Sequence, residues 1–286
     1  MLSRLRRALF TTAGILLFLL LAGATYQGTA TALERRQFPH PGKLVDIGDR
    51  QLHIYCIGKG TPTVVLEAPA TGMSAVWGWV QPDVARHTRV CSYDRAGLGW
   101  SEAGDTPYDP GAVPDQLHAL LERSGESAPY VLVGEGLGAM FATVYASRYA
   151  PTVAALVLID PPSADATATR RDTATRLANS APWLARAGFL RATRLLSNGA
   201  EGLPPASAGA LAAFLNRPDH LTRSARELSR WNDAARLAAD APARGIRVVR
   251  ETVRPSGQVA FLTDEADAAK ATAAINAVVE RTRRTP

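Results

Sequence analysis

The chain of 286 residues is 47% hydrophobic and 20% charged, with 23 glycines and 19 prolines; this globular composition excludes a disordered or collagen-like chain and can build a core without disulfide staples. Its two cysteines exclude a zinc ribbon and a disulfide-dense mini-protein. The net charge of +6 gathers at the start, where Arg4, Arg6, Arg7, Arg35, Arg36 and Lys43 face only Glu34, while the other 243 residues hold 26 basic and 25 acidic side chains, a balance with no global field to attract nucleic acid.

From Ala8 to Ala24 the chain is apolar, and no charge occurs between Arg7 and Glu34. Seventeen helical residues span roughly 25 Å, and extension to Tyr26 brings the run to bilayer thickness with an aromatic ring at the interface. The preceding arginines place the N-terminus in the cytoplasm and the body on the extracytoplasmic side of the cytoplasmic membrane. Two readings of residues 1–26 stand: an uncleaved anchor, favoured by the length of the apolar run, or a signal peptide cut after Ala22-Gly23-Ala24, which would release a secreted body. Residues 27–43, polar and then carrying Pro39 and Pro41, read as a linker to a domain over 44–286.

The domain alternates strand and helix. Lys43–Ile47 and Gln51–Ile57 form a hairpin about Gly48-Asp49. Thr63–Glu67 is a short apolar strand, and Ser74–His87 is helical in pattern but carries Pro82. Arg89–Tyr93 is a strand. Pro114–Arg123 has helical spacing with proline near its start and Gly125 after its end. Tyr130–Val133 is a strand, Leu137–Tyr149 a helix and Ala155–Ile159 a buried strand. This order predicts an α/β fold with a mostly parallel sheet covered by helices on both faces. Residues 163–243 are rich in Ala and Arg, and Pro182, Pro204, Pro205 and Pro218 divide them into about four helices, an insertion after the sixth strand. Arg247–Val253 and Val259–Leu262 are the last strand candidates, and Ala266–Arg284 is a closing helix. Only Arg254–Gln258 separates those two candidates, too few residues for a parallel crossover. They form an antiparallel hairpin, or one is no strand; either way the C-terminal edge is shortened.

The stretch Val131-Leu132-Val133-Gly134-Glu135-Gly136-Leu137-Gly138-Ala139 runs a strand through a Gly-rich turn into a helix. It resembles the nucleophile elbow, G-x-S-x-G, of the α/β-hydrolase family. Thr63–Ala70 is similar to the family's strand entering the oxyanion loop, Tyr93-Asp94-Arg95-Ala96-Gly97-Leu98-Gly99-Trp100-Ser101 to its D-x-x-G-x-G-x-S loop, and Leu156–Pro161 to the strand after the elbow helix. The resemblance covers residues 43–162, and the insertion at 163–243 stands where relatives carry a helical cap. It implies oxyanion-hole donors at the N–H groups of Ala70 and Leu137 and an acid remnant at Asp160.

Departures from the family pattern bear on function. The central elbow residue is Gly136, which has no oxygen to attack a carbonyl. Ser256-Gly257-Gln258 resembles the family's S-G-H, with Gln258 where the base would be; an amide cannot accept and return a proton near neutral pH. The resemblance with these substitutions implies a non-catalytic ligand-binding or scaffold protein, whose alternative is an ester- or amide-type hydrolase of non-standard mechanism. The pattern Gly134-x-Gly136-x-x-Ala139, with Asp160 downstream, also fits a dinucleotide fingerprint, a third reading. Asp94, Arg95 and Glu135 read as structural, and Trp77, Trp79 and Trp100 as core or pocket rim. The five scattered histidines have no metal-binding spacing, and neither metal nor cofactor is expected. The expected partners are a small apolar or acyl ligand and the membrane; no protein partner is indicated. The family order makes the second and fourth strands antiparallel neighbours, which implies that Cys56 and Cys91 lie close. An exported body favours a disulfide between them over two buried thiols.

Overall fold

A computed structural model describes residues 2–104, 107–161, 168–241, 245–251 and 262–284. Its first element, α1 (Leu2–Gln37), is one unbroken helix. Residues 27–37, read above as linker, are therefore helical. Their polar groups are held by tertiary contacts: Gln27 donates to the Asn216 carbonyl at 2.7 Å and accepts from Arg191 Nε at 2.9 Å, and Glu34 forms an ion pair with Arg191.

A hairpin of β1 (Lys43–Asp46) and β2 (Gln51–Ile57) follows, then β3 (Thr63–Glu67). A 3₁₀ turn at Ser74–Trp77 and the short helix α2 (Val80–Val84) replace the single helix expected over 74–87. Next come β4 (Val90–Tyr93), α3 (Val113–Ser124), β5 (Tyr130–Glu135), α4 (Leu137–Arg148) and β6 (Val153–Ile159). Helix α3 starts on Pro114 in its first turn and stops at Gly125, whose φ of 78° provides a left-handed cap.

The inserted section holds α5 (Ala168–Arg186), α6 (Phe189–Thr193), α7 (Pro205–Phe214), α8 (Pro218–Ser229) and α9 (Trp231–Ala239). That is five helices among the described residues rather than four. Pro182 lies inside α5, where the helix loses one backbone hydrogen bond without ending; Pro205 and Pro218 sit in first turns, as proline prefers. The chain closes with β7 (Arg247–Glu251) and α10 (Glu265–Arg284). Asp264 caps α10 by accepting from the N–H groups of Ala266 and Asp267.

The strands form one sheet in the order β1-β2-β4-β3-β5-β6-β7. The hairpin strands pair antiparallel, as do β2 and β4, and the strands from β3 onward are parallel. Strand β7 pairs with β6 in parallel, across the crossover that the helical insertion supplies. The second late candidate, 259–262, lies outside the described residues apart from Leu262, and so does Gln258.

Alternation along the central strands gives each sheet face its own core. Val64, Leu66, Val131 and Val133 pack with Trp77, Phe214 and Ile275 on one side. Val65, Leu132 and Leu156 pack with Leu117, Leu121 and Tyr145 on the other. In β2 and β4, Cys56 stands directly opposite Cys91, with Cα atoms 4.0 Å apart, and the two form a disulfide.

Candidate functional site

The ends of β3, β5 and β6 converge on the turn at Gly136. Glu67 pairs with Gly134, and Glu135 with Ile159. Gly136 donates its N–H to the Ile159 carbonyl at 3.0 Å and leads into α4 with φ 55° and ψ −115°. The residues singled out from the sequence meet here. Asp160 directly follows Ile159 and adopts φ 42°, a left-handed conformation uncommon for a non-glycine residue. Ala70 directly follows Pro69, whose Cβ lies 3.8 Å from where a Gly136 Cβ would stand. Leu137 is fully buried at the first position of α4 and packs in one cluster with Ala70. At such a helix start the backbone N–H groups are free of intrahelical partners.

The three glycines of this turn answer different demands. A Cβ on Gly138 would lie 2.4 Å from the Glu67 carbonyl oxygen and 2.6 Å from that of Ala68, and one on Gly134 would lie 2.4 Å from the Gly138 carbonyl oxygen. Close backbone packing thus accounts for both, with no nucleotide phosphate required. At Gly136 the positive φ is what calls for glycine, since among the described residues beyond its chain neighbours a Cβ there would approach only Pro69, at 3.8 Å. Accordingly, Gly138→Ala should cost about 3 kcal/mol through overpacking, whereas Gly136→Ala should cost about 1–2 kcal/mol through its backbone conformation. Urea unfolding of the two variants measures the difference.

Behind the turn lies a buried ionic cluster. Arg95, just past β4, donates from Nη1 to Glu67 Oε1 at 2.7 Å and to the Ala68 carbonyl at 2.6 Å. Its Nη2 reaches the Pro69 carbonyl and Glu227 Oε2, both at 2.9 Å, and its Nε reaches Glu227 Oε1 at 2.9 Å. One guanidinium therefore fixes the loop carrying Ala70 and ties the sheet to α8. Tyr93 donates its hydroxyl to Glu67. Burial opposes the charge on Arg95, but Glu227 and Glu67 keep it firmly protonated. Burial pushes the Glu67 carboxyl up, against the pull of Arg95. Burial also works against the Glu227 carboxylate, yet Arg95 and Arg223 bring it below its ordinary value.

A second network joins the neighbouring loops. Asp94 accepts from the N–H groups of Ser74 at 2.6 Å and Trp100 at 2.9 Å and faces His53 Nδ1 at 3.0 Å, both side chains fully buried. His53 Nε2 also contacts the Pro41 carbonyl. Burial disfavours charge on His53, but Asp94 outweighs it and raises its pKa. On α8, His220 Nδ1 accepts from the Gly99 N–H at 3.1 Å and Nε2 donates to the Thr71 carbonyl at 3.0 Å; burial lowers its pKa. Both nitrogens of each histidine are engaged, so neither is placed as a substrate base. Asp94 and Arg95 have the structural roles read from the sequence. Glu67 and Glu227 were not among the residues singled out from the sequence. The available signal was on α8, where His220, Ser224 and Glu227 recur at helical spacing and are all buried.

A cavity of about 490 Å³ opens beside the Asp94 network at Ser74 and Trp100, lined also by Phe38, Tyr55, Ile57 and Pro204; Ala70, Gly136 and Leu137 do not line it. Trp100 crosses Phe214 edge to face at 5.3 Å and donates to the Phe38 carbonyl at 3.1 Å. Ser92 and Gln81 line the same cavity and bond to each other at 2.7 Å.

Residues 62–198 match the family model described as the alpha/beta hydrolase fold. The solved structure of a putative lipase from Acinetobacter baumannii superposes with a TM-score of 0.62 at 15% identity, over 91% of this chain and 97% of that one. The chain is an α/β-hydrolase-fold protein. Among relatives of this α/β-hydrolase-fold protein, an uncharacterized protein of Schizosaccharomyces pombe is 29% identical over 150 residues, spanning 42% of this chain and 28% of that protein. N-formylmaleamate deformylase of Pseudomonas putida is 32% identical over 116 residues, spanning 40% of this chain and 42% of the deformylase. The chain thus matches less than half the length of these curated relatives.

Proposed function

We propose that the protein is a membrane-anchored, non-catalytic α/β-hydrolase-fold protein that binds a small apolar or acyl ligand. The observation that carries this reading is Gly136: the strand-to-helix turn keeps a positive φ at its centre, and the residue there has no side chain to act as a nucleophile. The Ala70 loop and the first turn of α4 still supply a place for a carbonyl or anion. The aromatic-lined cavity supports an apolar ligand, and its size falls within the usual range of small-molecule sites.

Anchoring is supported by α1, in which an 18-residue window has a mean hydropathy of 2.1. The uncleaved form is further supported by the close approach of Gly23 to the body, where a Cβ would lie 2.0 Å from the Ala187 carbonyl oxygen. Removal of residues 1–24 would strip this contact away.

A fluorophosphonate probe and a panel of activated esters test the catalytic part of the reading. The expected result is no covalent labelling and no turnover above a heat-inactivated control, alongside saturable binding of a fluorescent fatty acid. Stoichiometric labelling of any serine would establish the alternative, a hydrolase of non-standard mechanism. For the anchor, carbonate washing should leave the full chain in the membrane fraction, and protease added outside the cytoplasmic membrane should cut the body.

A further inference from the structure

The helical insertion carries an apolar surface that the proposed function does not use. Outside α1, the large hydrophobic side chains most exposed among the described residues are Leu177 (66%), Trp183 (71%), Phe189 (50%) and Leu195 (63%), joined by Leu184 (39%). Leu177 and Leu184 lie two turns apart on one face of α5, Trp183 adjoins them, and Phe189 opens α6. Scattered exposed leucines need no explanation, but a cluster including a tryptophan does.

The position of this cluster along α1 indicates what covers it. Gly188, between α5 and α6, meets Gly23 backbone to backbone: a Cβ on Gly188 would lie 2.7 Å from the Gly23 carbonyl oxygen. About 20 helical residues cross a bilayer core, and counting from Ala8, the first residue after Arg7, this stretch ends at Gln27. Gln27 is a polar side chain satisfied by Asn216 and Arg191 rather than left to lipid. Gly23 lies one turn deeper than Gln27, so the junction of α5 and α6 sits at the level where the apolar stretch leaves the membrane. Between residues 175 and 195 the chain has Arg176, Arg186, Arg191 and Arg194 and no acidic residue. Arg191 is committed to Glu34, Arg186 lies 5.0 Å from the Trp183 ring, and Arg176 and Arg194 are exposed. Apolar and aromatic side chains with interleaved arginines match a headgroup region of anionic lipids over acyl chains.

We propose that α5 and α6 dip into the outer bilayer interface beside α1, with Leu177, Trp183, Leu184 and Phe189 among the acyl chains and Arg176, Arg186 and Arg194 at the lipid phosphates. The inference rests on the anchor reading above. The body would then be held at two points, by the helix and by this face, which brings the inserted helices against the lipid.

The test uses the full chain reconstituted in vesicles of phosphatidylcholine and phosphatidylglycerol, with and without lipids brominated on the upper acyl chain. Flotation is measured first. The protein should float, and bromolipid should quench part of its tryptophan emission. Trp183→Phe, a conservative change at an exposed site, should float equally and lose that quenched component. A protein that floats but shows the same bromolipid quenching with and without Trp183, or none, overturns the docking of the cap and leaves the anchor intact. A protein that does not float overturns both. Dimeric cross-linking through Leu184→Cys, with bromolipid quenching absent, overturns the proposal in favour of a second copy on this face.

Discussion

Replacing Arg95 by methionine should destabilise the fold by about 3–5 kcal/mol, because it strands two buried carboxylates. Arg95 and its partners Glu67 and Glu227 are each no more than 3% exposed at the side chain, so water cannot take over its role. The change also frees the Ala68 and Pro69 carbonyls, which it bonds. The loss has a definite pH dependence. In the native protein the Glu227 pKa lies below its ordinary value. Its contribution is therefore present above the ordinary glutamate pKa and fades as the pH falls through the lower, folded value. In Arg95→Met the same carboxyl gains by protonation, so the gap to the native protein should narrow toward acid. Urea midpoints at neutral and acidic pH measure this. Adding Glu67→Gln and Glu227→Gln to Arg95→Met should recover part of the stability by removing the stranded charges. A neutral-pH loss below about 1 kcal/mol, the level of an exposed pair, would refute this account of the cluster.

Loss of the Cys56–Cys91 disulfide should be the second large effect. The bridge closes a loop with a sequence separation of 35, for which the chain-entropy model gives about 3–4 kcal/mol. It joins β2 to β4, and β2 carries the hairpin strand β1 as the outermost of the sheet. The double variant Cys56→Ser/Cys91→Ser should therefore unfold at lower urea concentration, and adding a reductant to the native protein should shift its midpoint similarly. The unreduced, unfolded protein should show no maleimide-reactive thiol; two reactive thiols would refute the bond.

Most of the sheet could be read from local pattern. Thr63–Glu67, Tyr130–Val133 and Ala155–Ile159 are short apolar runs between turn residues, and only buried parallel strands use such runs in alternation with helices. The ends of α3 were marked by Pro114 and Gly125. The location of the candidate site was legible for a similar reason: a strand, a glycine-rich turn and a helix are contiguous in sequence, so Gly136 and Leu137 arrive together. What could not be read depends on distant partners. Glu227 is 132 residues from Arg95, and its helical spacing with His220 and Ser224 marks a common face of α8 without indicating the partner. Residues 27–37 are polar because one side packs on Arg191 and Asn216; without those partners the same polarity reads as a linker. Pro182 marks a helix boundary by propensity, but α5 continues past it because packing outweighs one missing hydrogen bond.

The turn at Gly136 has an engineering consequence. The turn is a mount held between β5 and a 12-residue helix, with the positive end of the α4 dipole beneath it. A cysteine introduced there would sit at a helix N-terminus, an environment that lowers thiol pKa. The molecule is thus a scaffold onto which a reactive sulfur can be grafted at a position that the fold already holds rigid.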